Sequence, residues 1–471
     1  MLFNSFEFML FFPSVVLLHF AVPQRYRWVV LLPASYGFYM AWKPGYVVLI
    51  WLSTLVDYFA GLGFGRLDRK GLRRLLLMGS LLTNLGLLFV FKYYGFFAAN
   101  LDPLLPYLGW TFHLPDAPWV LPVGISFYSF QTLAYTIEVY RGTQAPERHL
   151  GRFALYVAFF PQLVAGPIER ARNLLPQFSE HHGFDYARVT EGLRLMAWGL
   201  FKKVVIADRL AEVVDTVYGN PEAATGPAVV VATVFYAFQI YCDFSGYSDI
   251  AIGAARVLGY RLMENFRRPY FAISIADFWR RWHISLSTWF RDYLYIPLGG
   301  SRVTAPRWCT NIVIVFLLSG LWHGANWTFL AWGALHAVYL LVGRAMAPFW
   351  ARLGEGELVR LLRGVGVFGL VCFAWIFFRA QSVGDAFTLI RALSGGWSSP
   401  PVLGVSAVTF VLLAGLVGFL LAVQWAQTWD SLHERFTRQP TWVRWGVYSA
   451  ALWGVFLLGA LKQTQFIYFV F

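Results

Sequence analysis

The sequence predicts an all-α, polytopic integral membrane protein, a single domain over residues 1–471, and three observations carry that prediction. Of the 471 residues 58% are hydrophobic and 13% charged, with mean hydropathy +0.54, more apolar than the surface of an ordinary water-soluble domain. Apolar runs long enough to cross ~30 Å of hydrocarbon, at ~1.5 Å of helix per residue, recur from end to end. The basic residues gather in short stretches between those runs, so the net charge of +13 marks membrane topology and not nucleic-acid binding.

The opening stretch MLFNSFEFMLFFPSVVLLHF has no basic residue before its apolar core and no small-residue cleavage site after it, so it is expected to stay as the first span. Further spans follow near 27–42 and 45–63. The stretch RLDRKGLRR at 66–74 belongs on the cytoplasmic face, whereas 99–120, with Asp102 and Asp116 but no Lys or Arg, belongs outside. Counting back leaves the N-terminus outside. Counting forward puts the basic stretches 141–152, 261–307, 344–363 and 435–444 in the cytoplasm and the C-terminal QFIYFVF outside. The pattern closes on about ten to twelve membrane segments. Cys242, Cys309 and Cys372 lie far apart, with none of the spacings that a metal site or disulfide framework shows, so neither is expected.

Three segments do not read as plain spans. In FPQLVAGPIERARNLLPQF, 160–178, Pro161, Gly166 and Pro167 break an apolar helix just before Glu169, Arg170 and Arg172. Such a break either lines a cavity or is a helix end with a basic cap. In FQIYCDFSGYSDIAIG, 238–253, Asp243 and Asp249 interrupt an apolar run. Acids at that depth line a polar passage or pair with a cation such as Arg280 or Arg291. In 273–300, Ile275, Phe278, Trp279, Trp282, Leu286, Trp289, Phe290 and Tyr293 trace one stripe, which predicts an amphipathic helix in the cytoplasmic interface, ended near Pro297 and Gly299. His283 falls on the border of that stripe.

The hairpin around FLLSGLWHGANWTFL, 316–330, has basic residues at both feet, Arg302 and Arg307 before it and Arg344 after it. From Thr310 to His323 is only ~20 Å of helix, so His323 is expected inside the membrane, on backbone made irregular by Gly320 and Gly324. Irregular backbone at that depth is tolerated where protein buries it or where it lines a wet cavity. A neutral imidazole there is suited to take a proton from an alcohol or thiol. The alternative is a core histidine bonded to a carbonyl. His336 lies about 220° round the return helix from His323 and is expected on another face, and the remaining histidines sit at span ends or in loops.

DFWRRWHISLSTWFRDYLYIPLGG, GLWHGANWTFLAWGALH, FPQLVAGPIER and DFSGYSDIAIG together resemble the membrane-bound O-acyltransferase family, in its bacterial polysaccharide-acetylating branch. The resemblance implies re-entrant or interfacial helices around a central tunnel, with N-terminal spans in 1–150, a catalytic core in 151–346 and C-terminal spans in 347–471. It implies that His323 matches the family's catalytic histidine and His283 the accompanying position. It also implies a cytoplasmic acyl thioester donor, most simply acetyl-CoA, with no bound cofactor or metal. Trp279, Arg280, Asp292 and Tyr293 are then expected to shape the donor's approach, Asn326 to orient the imidazole or face a developing oxyanion, and Asp243 to line the passage.

No G-x-S-x-G motif appears. The resemblance therefore implies a separate extracytoplasmic acetyltransferase partner that finishes transfer to a polysaccharide. Alginate, another exopolysaccharide and a cell-wall polymer remain open as acceptors. The expected location is the bacterial inner membrane. The alternatives are D-alanyl transfer to teichoic acid and, in another class, a transporter or flippase, although no internal repeat is found.

Overall fold

A computed structural model of the chain describes residues 1–116, 119–354, 356–427, 432–460 and 466–467. Among these the regular structure is helical, with no strand. Seven helices are long and apolar enough to cross a membrane: Pro44–Arg66, Lys70–Leu104, Gly226–Leu258, Ala305–His323, Trp327–Ala345, Glu357–Arg379 and Ala407–Ala426. Large apolar side chains such as Leu17, Leu75, Leu82 and Val408 are exposed, as a lipid-facing surface requires.

Helices occupy the first three stretches where the pattern puts spans: α1 Phe6–Ala21, α2 Arg27–Met40 and α3 Val47–Arg66. Helix α4, Lys70–Leu88, runs on through a π-helical turn, Phe89–Tyr93, into a final α-helical stretch, Tyr94–Leu101. Helix α5, Ile125–Arg141, packs on both α3 and α4. Buried Asp57 ties the three together, accepting from Ser80, from Asn84 Nδ2 at 2.8 Å and from Thr136 Oγ1 at 2.9 Å. With no water in the hydrocarbon to solvate it, that carboxyl needs all three donors.

The central element is α9, Gly226–Leu258, lying along α7, Tyr186–Phe201, with α8, Asp208–Tyr218, beside it, while α6, Leu150–Ala158, packs on α2 and α3. Glycines set the α7–α9 approach: a Cβ at Gly199 would fall 2.5 Å from Gly246 O, and one at Gly192 would fall 2.7 Å from Gly253 O. Small residues at this spacing let two membrane helices pack backbone to backbone.

The predicted interfacial helix of 273–300 is instead two short ones, α10 Ile275–Arg281 and α11 Ile284–Phe290, followed by a π-helical turn, Arg291–Tyr295. The helix breaks at His283, whose φ of 44° no continuing helix can hold. Its tryptophans are knit into protein: Trp282 is buried, and Trp289 stacks on Phe130 at 3.8 Å while donating to Phe130 O. The hairpin helices α12, Ala305–His323, and α13, Trp327–Ala345, fit closely because Gly320 and Gly333 face backbone of the opposite helix. Gly320 therefore lies in regular helix, and the chain departs from helix only at Gly324, with φ −164° and ψ 149°. Helix α14, Glu357–Arg379, closes over α13 and α9.

Candidate active site

His323 is the last residue of α12 and is 2% exposed. Aromatic rings surround it: Trp322, Trp332 and Phe378 lie at centroid distances of 5.0, 5.1 and 5.2 Å. The His283 ring is 6.4 Å away. The two histidines that lie forty residues apart in sequence thus meet in the core of the fold.

His283 is held in a fixed tautomer. Asn265 Oδ1 accepts from the Ser285 backbone N–H, which can only donate, so its amide orientation is settled. The same oxygen accepts from Ser285 Oγ at 2.9 Å and from His283 Nδ1 at 3.1 Å. Nδ1 therefore carries the proton, and the lone pair of the neutral ring lies on Nε2. Asn265 O also accepts from Ile284 N, so one asparagine fixes both the turn and the ring.

Two cavities flank this pair. One, of about 20 Å³, is lined by His323, Trp322, Lys92, Ser126 and the loop 121–125, on the side where α4 ends. The other, of about 140 Å³, is lined by Leu286, Phe290, Arg291, Tyr295, Phe316 and Ser319, the last about one turn before His323 on α12. His323 thus sits among aromatic rings, with space on one side and a second opening one turn away. A neutral imidazole so placed can accept a proton from a hydroxyl or attack a carbonyl carbon.

The other expected site residues divide. Trp279 lines the larger cavity and donates from Nε1 to His336 Nδ1 at 3.3 Å. Asp292 lies 3.3 Å from Arg170 and 2.8 Å from Arg291. Tyr293 donates to Glu138 at 2.7 Å under the Arg170 guanidinium, and Arg280 is exposed. Arg170, Arg291, Asp292 and Tyr293 thus form a charged rim at the basic end of the bundle.

Asn326 does not orient the imidazole. It is the N-cap of α13, accepting from Thr328 N and donating to Gln381 O, so both ends of its amide are committed to backbone. Asp243 does not line either cavity. It pairs with Lys203 at 2.5 Å, and Asp249 pairs with Lys202 at 2.8 Å. The partners are these lysines of a π-helical turn, Lys202–Ala207, and not Arg280 or Arg291. Of the C-terminal stretch, 465 and 468–471 lie outside the described residues. Phe466 is buried over Lys203, and Ile467 N donates to Asp243.

The broken segment at 160–178 is buried in protein. Gln162 Nε2 donates to Tyr156 O, and Glu169 accepts from Met263 N and from Asn173 Nδ2 at 2.6 Å. Burial raises the Glu169 carboxyl to about 7 against those donors.

Three further residues belong to the site: Lys92 and Asn265, which the sequence does not single out, and His336, which helical projection puts on another face. Lys92 donates to the carbonyls of Trp322 and His323. A lysine inside FVFKYYG was the available signal. Asn265, in an unremarkable loop, offered none. His336 faces away from His323 in helical projection, yet both rings pack on Trp332.

Residues 144–354 match the model of the membrane-bound O-acyltransferase family. A probable alginate O-acetylase of Azotobacter vinelandii is 41% identical over 408 residues, covering 84% of this chain and 79% of that protein. The peptidoglycan O-acetyltransferase of Helicobacter pylori is 35% identical over 429 residues, 84% of this chain and 80% of that protein. The teichoic acid D-alanyltransferase of Bacillus subtilis is 28% identical over 317 residues, 62% and 78% of the two chains. Two histidines facing each other inside a helical membrane bundle, and relatives alike over most of their length, lead to one assignment: the chain is an enzyme of the membrane-bound O-acyltransferase family.

Proposed function

We propose that the chain moves an acyl group, most simply acetyl, from a thioester at the cytoplasmic face to a hydroxyl arriving from the other side, for O-acetylation of an extracytoplasmic polysaccharide. The names of the Azotobacter and Helicobacter relatives support the polymer class. The observation that carries the reading is the position of His323, on one cavity and a helical turn from the other. On this reading the basic rim faces the cytoplasm and its arginines meet the phosphates of acetyl-CoA, while the Trp279 cavity admits the thioester arm.

The acceptor oxygen attacks the thioester carbonyl carbon. A C–O bond forms as the C–S bond breaks, and the hydroxyl proton passes to the imidazole of His323 and on to the leaving sulfur. If His323 carries the acyl group itself, its nitrogen makes the first attack and the hydroxyl the second. A rapid quench that finds acyl-histidine separates the two. His283, with its lone pair fixed on Nε2, supports proton movement at the same centre. A separate extracytoplasmic acetyltransferase completes transfer to the polymer.

The enzyme resides in the bacterial inner membrane with both termini outside. On this reading the shorter helices α1, α2, α5, α7 and Thr441–Leu458 are counted as spans as well.

The test is acetyl transfer by protein reconstituted in liposomes, with acetyl-CoA supplied on one side. His323→Ala is expected to lower transfer by about 10²–10⁴-fold while leaving the protein folded, and wild-type turnover would defeat the reading. The Bacillus relative favours one second reading, D-alanyl transfer. A D-alanyl carrier protein that supports turnover where acetyl-CoA does not would select it.

A further inference from the structure

We propose that Lys92 is a positioning residue for acyl transfer: its ammonium holds the last turn of α12, and with it the His323 ring, while presenting a cation to the cavity where the acceptor arrives. The inference rests on the role proposed for His323.

An ammonium within an apolar membrane helix costs about 2.5–3.5 kcal/mol on insertion scales, so a lysine at that depth calls for a reason. The local backbone singles Lys92 out as well. It lies in the five-residue π-helical turn Phe89–Tyr93, an interruption frequent at functional sites.

What Lys92 touches gives the reason. An ammonium has three donors and no acceptor, and Nζ lies 2.7 Å from Trp322 O, 3.1 Å from His323 O and 3.3 Å from Ser126 Oγ. The last carbonyls of a helix lack intrahelical partners, and here the chain turns extended at Gly324, so no following turn supplies any. The negative end of α12 meets a positive charge, the favourable direction for a helix C-terminus. Lys202 and Lys203 each face carboxylates; among the described residues Lys92 makes no ion pair, so its charge acts on carbonyls and on the cavity.

That cavity has His323 and Lys92 on its wall. About 20 Å³ is room for one water-sized group. A hydroxyl filling it sits between the imidazole and the ammonium. Without Lys92 the two carbonyls lose their donor inside the membrane, the final turn of α12 loosens and the ring leaves its line with the incoming oxygen.

The experiment uses full-length protein in nanodiscs and compares Lys92→Arg, Lys92→Gln and Lys92→Met with wild type and His323→Ala. Lys92→Met and Lys92→Gln are expected to lower kcat about 10²-fold, the effect of a misplaced reacting group, with the donor KM within about twofold. Lys92→Arg, which keeps the charge and the donors, stays within about tenfold of wild type. Amide hydrogen exchange at 320–324, read on the same folded samples, speeds up in Met and Gln but not in Arg.

The inference is overturned if the folded Met or Gln variant keeps wild-type kcat, if the loss lies only in donor KM, if Arg is as impaired as Met, or if exchange at 320–324 is unchanged. Should Lys92→Met not fold, Gln and Arg decide alone. Turnover that survives at the wild-type rate in His323→Ala defeats the functional reading as well. Turnover lost in His323→Ala but kept in Lys92→Met or Lys92→Gln defeats this inference only.

Discussion

Two groups of ionisable side chains are buried inside the helical bundle, and they are built on opposite rules. Around α9, Lys203 faces Asp208 at 2.8 Å and Asp243 at 2.5 Å, Lys202 faces Asp249, and Ser245 Oγ and the Ile467 N–H supply further bonds. Charge is cancelled locally, as a buried ion costs several kcal/mol unless paired. Around α12, His283 and His323 are ringed by aromatic side chains, and Lys92 faces carbonyls. Both groups look alike in sequence, as polar letters in an apolar run. The difference teaches that the paired cluster holds helices together, whereas the histidines, set among aromatic rings beside a cavity, are placed for chemistry.

The sharpest way to break that contrast is to exchange the consequences. His323→Ala should lower acyl transfer by about 10²–10⁴-fold, the range of a general base, yet leave the thermal midpoint in detergent within about 2 °C of wild type. Lys203→Ala should do the reverse in kind, removing about 3–5 kcal/mol of stability by leaving two buried carboxyls without their cation. Thermal unfolding of both proteins, set beside their turnover when folded, tests the division. A folded Lys203→Ala with wild-type stability would end it.

A smaller effect separates capping from catalysis. Asn326→Ala should cost about 1 kcal/mol, the value of an N-cap, with kcat little changed; a kcat loss larger than that stability change would return Asn326 to the chemistry.

The least is expected of pH. Burial raises Glu169 from 4.5 to about 7, so folding favours its protonated form. Its contribution is fully present below about pH 4.5 and is lost as pH rises through about 7. The wild-type midpoint should therefore fall by a few degrees more than that of Glu169→Gln between pH 5 and pH 8. Parallel curves for the two proteins would show that the carboxyl is already ionised at the lower pH.

Much of this was legible in the chain, for reasons that differ by element. Helices such as α1 and α3 follow from apolar length alone, and the count of residues from the basic foot of the hairpin agrees with the burial of His323 at the end of its helix. The stripe through 275–293 was misread as one interfacial helix because a period of three and four does not reveal a single residue at positive φ, and the tertiary partner that fixes His283 there, Asn265, is remote from the pattern. Asp243 was placed in the passage because its lysine partner lies forty residues away, and Asn326 was read as chemistry because a cap and an orienting amide look the same in one dimension. The resemblance to a family located His283 and His323; it was silent about Lys92, whose role depends on which carbonyls lie opposite.

The π-helical turn at 89–93 has a consequence for how such a site arises and is lost. Each such turn accommodates one residue more than a regular helix would while leaving the flanking helix in phase, so removing a single amino acid between Phe89 and Tyr93 would restore the regular ladder and remove the wide turn on which Lys92 sits. The ammonium would then lose the backbone that sets it against the Trp322 and His323 carbonyls, without any change of side chain. Genetic screens that score only substitutions would overlook this sensitivity, whereas a scan of one-codon deletions along the helix should find it as a sharp, isolated intolerance.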